Sequence, residues 1–204
     1  MINSLLAAVL AGSMLTAPLK TALLTPDDLG AEFVRGDYRT DILRNSVFDQ
    51  DRKCGAAVRK VSTVYRSRVA TALKYGDRWE GVTEYIVRGT AREISALERA
   101  ARAMARHCRT ITAKTDASRE IVRALPTDRL GDGTYGIKYR AGLSGSRLEN
   151  DARMRGMMVA VDVVFVRVKN TAIVLEHNGN VGEFDPALTR SATRAAVSRL
   201  RQAL

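Results

Sequence analysis

The sequence predicts an α+β domain: an antiparallel sheet packed by two long helices, with short helices near the N-terminus and one disulfide. Three observations point there. Alternating stretches arrive in adjacent pairs, which favours antiparallel pairing over βαβ crossovers. A capped amphipathic helix runs through Thr90–Ile111, and a second amphipathic helix closes the chain. No internal repeat or second hydrophobic unit interrupts them, so residues 20–204 are expected to form a single domain behind a leader, residues 1–19.

Within the leader, Leu5 to Ala17 carries no charge. The run is too short to span a bilayer comfortably but suits the apolar region of a signal peptide, although no Lys or Arg precedes it. Leu10-Ala11-Gly12-Ser13 has the form of a bacterial lipobox with Ser13 at the position of the lipid-bearing cysteine. A serine cannot form the thioether, so a lipid anchor is not expected there; Ala11 and Ser13 are small enough for an ordinary signal-peptidase cut.

The next segment, TALLTPDDLGAEF, begins a short helix: Thr25 can cap it, Pro26 takes the first position, and Asp27 and Asp28 complement the helix dipole. Gly30 ends it. The polar stretch from there to Asp51 reads as irregular, and Cys54 to Lys60 as another short helix. From Val61 to Gly89 the pattern has a two-residue period. Val69, Thr71 and Leu73 alternate, and after a turn at Gly76-Asp77, Val82, Glu84, Ile86 and Arg88 oppose Thr83, Tyr85 and Val87.

In the helix that follows, Thr90 and Glu93 have capping-box spacing. Ile94, Leu97, Ala101, Met104, Cys108 and Ile111 share one face, while Arg92, Arg99, Arg102, Arg106 and Arg109 lie off it. Cys108 therefore points to the core. Its only possible intrachain partner is Cys54, and a bridge between them would close a loop of about 55 residues, worth about 4 kcal/mol in the chain-entropy model. Two buried free thiols in a cytosolic chain are the alternative, and the compartment decides between them.

Thr112 to Arg119 reads as a linker leading to IVRAL and a turn at Pro126-Thr127-Asp128. Tyr135, Ile137, Tyr139, Ala141 and Leu143 form one face of a strand, and Leu143 to Arg155 a polar loop. Met157–Val168 and Thr171–His177 are the most apolar strands, joined through a two-residue turn at Lys169-Asn170. Asp185 then caps and Pro186 starts the last helix. Leu188, Ala192, Ala196 and Leu200 line one side of it, with Arg190, Arg194 and Arg201 elsewhere.

The formal net charge of +11 favours anionic partners such as acidic headgroups, cell-wall polyanions or nucleic acid. The arginines are spread along the chain, however, which equally fits decoration of solvated faces. With 204 residues and 46% hydrophobic content, a substantial core is available.

The leader ending near a lipobox, the LLTPDDLG helix, a first cysteine after a phenylalanine-containing segment (Phe48 to Cys54) and a helix ending in the second cysteine form one pattern. In it the chain resembles the actinobacterial sensor-domain lipoproteins and secreted proteins related to the extracellular domain of the kinase PknH. The resemblance covers roughly Leu23 to Leu204. It implies an extracytoplasmic α+β domain with a broad cleft that binds an envelope ligand and has no catalytic residues to carry over. Two departures stand out: that kinase domain has two disulfides where this chain can form one, and Ser13 replaces the lipobox cysteine.

Candidate chemistry is sparse. Gly131-Asp132-Gly133-Thr134-Tyr135-Gly136 matches G-x-G-x-x-G but runs into a strand where a dinucleotide site needs a helix, so it reads as a turn and no cofactor is expected. Two cysteines are too few for a zinc site, and no metal is expected. His107 and Cys108 are helix neighbours pointing about 100° apart, which does not make a catalytic pair. His177, flanked by Glu176 and Asn178, is the best polar cluster. Asp162 interrupts MMVAVDVVFV. If it is buried it needs an arginine or a hydrogen-bond donor; otherwise it faces outward or lies at an edge. Its alternation with Val161 and Val163 suggests that it faces a helix-free cleft with Tyr135, Tyr139 or nearby arginines. Asp162, Tyr135, Tyr139 and His177 are thus the candidate ligand-binding residues, with no catalytic residue among them.

The expectation is a non-catalytic, sensor-like ligand-binding domain of the cell envelope. It would be secreted or envelope-located and able to associate with the membrane surface or cell wall. The alternative is a protein that grips nucleic acid or another polyanion with the arginine faces of its helices; the leader and the cysteine pair disfavour it.

Overall fold

A computed structural model describes residues 19–36, 39–67, 69–114, 118–143 and 159–204. The leader with Ser13, and the loop expected beyond Leu143 up to Arg155, lie outside the described residues.

Eight strands form one sheet: β1 (Phe33–Arg35), β2 (Ala70–Tyr75), β3 (Glu80–Arg88), β4 (Thr112–Lys114), β5 (Ser118–Ala124), β6 (Gly133–Leu143), β7 (Val159–Val168) and β8 (Thr171–Asn180). Their order is β1-β2-β3-β8-β7-β6-β5-β4, and every neighbouring pair is antiparallel. The helices α1 (Arg52–Val61), α2 (Ala91–His107) and α3 (Pro186–Ala203) cover the two faces, and 3-10 turns shape the N-terminal third of the described residues.

Side chains on a strand alternate between faces, so a central strand buried on both sides needs apolar residues at nearly every position. β7 meets that demand. Val161, Val163 and Phe165 pack with α1 and α2, and Val164 and Val166 pack with α3. Leu188, Ala192, Ala196 and Leu200 of α3 join Val82, Ile86, Ile173 and Leu175 on the second face.

The sequence places the start of α2 accurately because it is chemically marked, whereas the helix expected to reach Ile111 ends at His107 and tightens into a 3-10 turn over Cys108–Thr110. Thr90 Oγ1 accepts from the Glu93 amide at 3.3 Å, and Glu93 Oε2 accepts from the Thr90 amide at 2.8 Å. Ile94, Leu97, Ala101 and Met104 are buried against the sheet, and Arg92, Arg99, Arg102, Arg106 and Arg109 are exposed. Thr90→Ala removes one half of the capping box and is expected to lower stability by about 1 kcal/mol in urea denaturation; an unchanged midpoint would show that the cap is redundant.

The cysteine pair is a disulfide, Cys54–Cys108, with a sequence separation of 54. It joins the first turn of α1 to the residue just after α2, and both cysteines are fully buried.

Three expectations are corrected. The linker expected over Thr112–Arg119 contributes to a hairpin, with β4 pairing β5 through Thr112–Ile121. The stretch expected to be irregular contains β1, which pairs Phe33 with Tyr75, and the 3-10 turns Ile42–Arg44 and Ser46–Gln50. Ser62–Arg66, expected to share the strand period, is also a 3-10 turn. β1 and β4 have three residues each, too few to display a period; pairing with a neighbour defines them.

The glycine motif at 131–136 is a turn entering β6. Gly131 has φ +63°, and a Cβ there would lie 2.1 Å from the Arg167 carbonyl oxygen. The Asp132 carboxylate accepts from the Lys169 amide at 2.6 Å, tying this turn to the β7–β8 turn.

Candidate functional site

Asp162 and His177 are direct cross-strand neighbours on β7 and β8, and both point toward α3. His177 is fully buried. Its Nε2 lies 3.0 Å from Glu80 Oε1, and its Nδ1 lies 2.8 Å from Thr189 Oγ1 on α3. The Thr189 hydroxyl donates to Asp162 Oδ2 at 3.0 Å. Asp162 Oδ1 faces Arg140 at 2.9 Å, a contact of charge and not an aligned hydrogen bond. Phe184 stacks on the imidazole at 4.1 Å, and the Arg140 guanidinium lies 4.7 Å above the Phe184 ring. The result is a continuous polar chain, Glu80–His177–Thr189–Asp162–Arg140, that fastens α3 to the middle of the sheet.

Burial pushes the Glu80 carboxyl up. The hydrogen bonds from His177 and from the Asp185 amide outweigh that and hold it below the usual carboxylate range. The position expected for Asp162 is therefore corrected in one respect. Its face is covered by α3 and is not helix-free; an arginine does meet it, but Tyr135 and Tyr139 lie on the opposite face of the sheet.

On that opposite face Tyr135 donates to Glu98 at 3.1 Å and accepts from Arg102 at 2.7 Å, while Arg167 reaches the second Glu98 oxygen at 2.8 Å. Tyr139 donates to Glu120 at 3.1 Å. The four candidate residues thus belong to three separate networks, each occupied by protein partners.

Two further buried acids stand outside the four candidates: Glu176, named in the sequence only as a flank of His177, and Glu84. Glu176 accepts from the hydroxyls of Tyr65 and Thr40. Burial pushes its carboxyl up, and although those hydrogen bonds pull back, it rests at about 7. Glu84 accepts from the Leu24 amide at 2.7 Å, and its other oxygen has no hydrogen-bond partner among the described residues. Burial drives it up to about 8 against the pull of that amide and of Arg199. For Glu84 the sequence signal was a Glu between Val82 and Ile86 on one strand face.

Both carboxyls titrate higher folded than unfolded. Their contribution to stability is full below about 4.5, the ordinary value, and is lost as pH rises through about 7 and about 8. Stability measured by urea denaturation is expected to fall by a few kcal/mol between pH 5.5 and pH 9, and Glu84→Gln should flatten the upper part of that decline. Glu80 has the opposite sign and acts only in the acid range, where its protonation removes stability.

A roomy cleft lies away from all these residues. β3 runs to Arg88, whereas β2 begins only at Ala70, opposite Tyr85, so the last residues of β3 extend beyond their neighbour. The chain before β2 leans across this step, and the Ser67 hydroxyl donates to the Ile86 carbonyl at 2.6 Å. A cleft of about 670 Å³ results, with Leu19, Val69, Ile86 and Val87 in its walls and Arg66 and Arg88 among its lining residues. Both arginines are exposed, and neither has an ion-pair partner among the described residues. No carboxylate, histidine or cysteine is found among the described lining residues. A much smaller cavity of about 50 Å³ sits beside Thr189 under α3. Among the described residues no cluster of His, Cys, Asp or Glu could hold a metal ion, and no helix is long and apolar enough to cross a membrane.

No family model matches the chain, and no curated protein matches it. Among solved structures, the extracellular domain of PknH from Mycobacterium tuberculosis is similar at 12% identity, over 89% of this chain and 92% of that one, with a TM-score of 0.48. A likeness of that degree carries no functional inference.

Proposed function

We propose that the protein is an extracytoplasmic, sensor-like domain that binds a ligand without transforming it, and that the cleft beside Arg66 and Arg88 is its binding site. One observation carries this reading: the cleft is lined by apolar, cationic and hydroxyl side chains, with no carboxylate, histidine or cysteine among its described lining residues, and the hydroxyls of Thr63, Ser67 and Thr90 are engaged by the Lys60 carbonyl, the Ile86 carbonyl and Glu93. Its volume lies within the range of about 300–1,000 Å³ common for small-ligand sites. Glu80, Glu84, Asp162, Glu176 and His177 are all buried in the sheet, and both nitrogens of His177 are engaged by Glu80 and Thr189 and closed to a substrate.

The buried Cys54–Cys108 bridge supports the extracytoplasmic compartment, since disulfides persist where the surroundings are oxidising. Mass spectrometry of the protein recovered from culture medium and envelope fractions, with and without reduction, tests this half of the proposal. An exported, oxidised chain carrying no lipid is the expected result. A fully reduced chain retained in the cytosol would overturn it.

A further inference from the structure

We infer that the outward face of the α1–α2 layer docks on an acidic lipid bilayer, held by charge and without insertion. The cleft beside Arg66 and Arg88 plays no part in this contact. α1 and α2 pack on the same face of the sheet, and two contacts fix them antiparallel. The Cys54–Cys108 bridge joins the start of α1 to the end of α2, and Lys60, near the end of α1, acts on the charge of Glu93 in the first turn of α2.

Ile94, Leu97, Ala101 and Met104 turn the inner stripe of α2 to the sheet. Arg92, Arg99 and Arg106 fall opposite that stripe, and all three are exposed. They stand seven residues apart, just under two turns, so they form a nearly straight row along the crest with about 10 Å between neighbours. Ala96 and Ala103 occupy the turns between them and are too small to hold a headgroup away. On α1, Cys54, Ala57, Val58 and Val61 face inward, and Arg52, Lys53 and Lys60 are exposed. Lys53 and Lys60 are again seven apart, which puts both on the flank toward α2.

The acids of these two helices, Glu93 and Glu98, are already engaged, one by the Thr90 cap and the other by Arg167. The opposite face of the molecule is different: Arg194 and Arg199 of α3 are ion-paired with Asp128 and Asp28. Helices lying side by side on a sheet raise their crests to one level, so the arginine row meets a flat surface all along its length. A linear polyanion is gripped best from a charged groove, whereas here the arginines stand on a ridge. Among the described residues the large exposed hydrophobics are Val34, Trp79, Val181 and Leu204, and all lie on other elements. The layer therefore has no wedge to drive between acyl chains, and its contact stays at the headgroups.

Co-sedimentation of the full chain with vesicles tests the inference. The expected result is binding to phosphatidylcholine vesicles carrying about 30% phosphatidylglycerol, little binding to phosphatidylcholine alone, and release in about 0.5 M NaCl. Each crest arginine should contribute about fivefold, so Arg92→Gln/Arg99→Gln/Arg106→Gln weakens binding about a hundredfold while circular dichroism shows an intact fold. Arg190→Gln/Arg201→Gln, at exposed positions of α3, should change binding by no more than about twofold.

Equal losses per charge in the two variants would mean that net charge, and not this face, attracts the bilayer, and would overturn the inference. So would binding to phosphatidylcholine alone or binding that survives the salt, since either would mark an apolar contact such as the run Leu5–Ala17. A single-stranded oligonucleotide that strips the protein from the vesicles at matched charge would make a linear polyanion the partner and would overturn it as well.

Discussion

Reducing the Cys54–Cys108 bridge is expected to lower stability by about 4 kcal/mol and the melting temperature by about 8–16 °C. The estimate follows from the sequence separation of 54 between two fully buried cysteines. The location adds to the effect: the bridge clamps α1 to the end of α2, and both helices pack on the same face of the sheet. Without it, α1 is held by its Asp51 cap, by the packing of Ala57, Val58 and Val61, and by the exposed Arg59–Asp49 pair. Scanning calorimetry with and without a reductant, and of a Cys54→Ala/Cys108→Ala variant, measures it. A melting temperature that stays within a degree or two in the reduced protein would show that the helices hold each other without the bond.

Arg140→Met should cost about as much, roughly 3–5 kcal/mol, for a different reason. Asp162 is only 1% exposed, and among the described residues its carboxylate has two partners, the Arg140 guanidinium and the Thr189 hydroxyl. Removing the cation leaves a buried charge held by one neutral donor. Asp162→Asn in the same background removes that charge and is expected to recover most of the loss, so the two positions should be strongly non-additive in a double-mutant cycle. Urea denaturation of the four proteins reads it directly. If Arg140→Met were neutral, the polar chain beneath α3 would be an accessory to apolar packing and not its fastening.

Most of the architecture could be read in the residues because local and global signals agree there. The Thr90–Glu93 pair starts α2, Asp185-Pro186 starts α3, and Lys169-Asn170 turns β7 into β8. β1 and β4 were not readable, since three residues carry no period and their identity comes from Tyr75 and Ile121 across the pairing.

The polar interior was half readable. An Asp inside an apolar strand signals that a partner must exist, and Arg140 is that partner. The strand pattern could not say which helix would cover Asp162, because β7 is apolar on both faces. The cleft was not readable at all. Arg66 and Arg88 come from separate segments, and what joins them is a difference in strand length between β2 and β3 that only the pairing register reveals.

That register has another consequence. β3 and β7 never touch as strands; each pairs with β8, which is made after both, as in Glu80 with Gly179 and Asp162 with His177. A nascent chain synthesised only as far as Asn170 therefore holds two separate ribbons, β1-β2-β3 on one side and β7-β6-β5-β4 on the other, with nothing between them. The late, sequence-distant strand both joins the ribbons and brings His177 to Glu80. Closure of such a sheet waits on long-range contacts, so completion of the core depends on the strand that is made late.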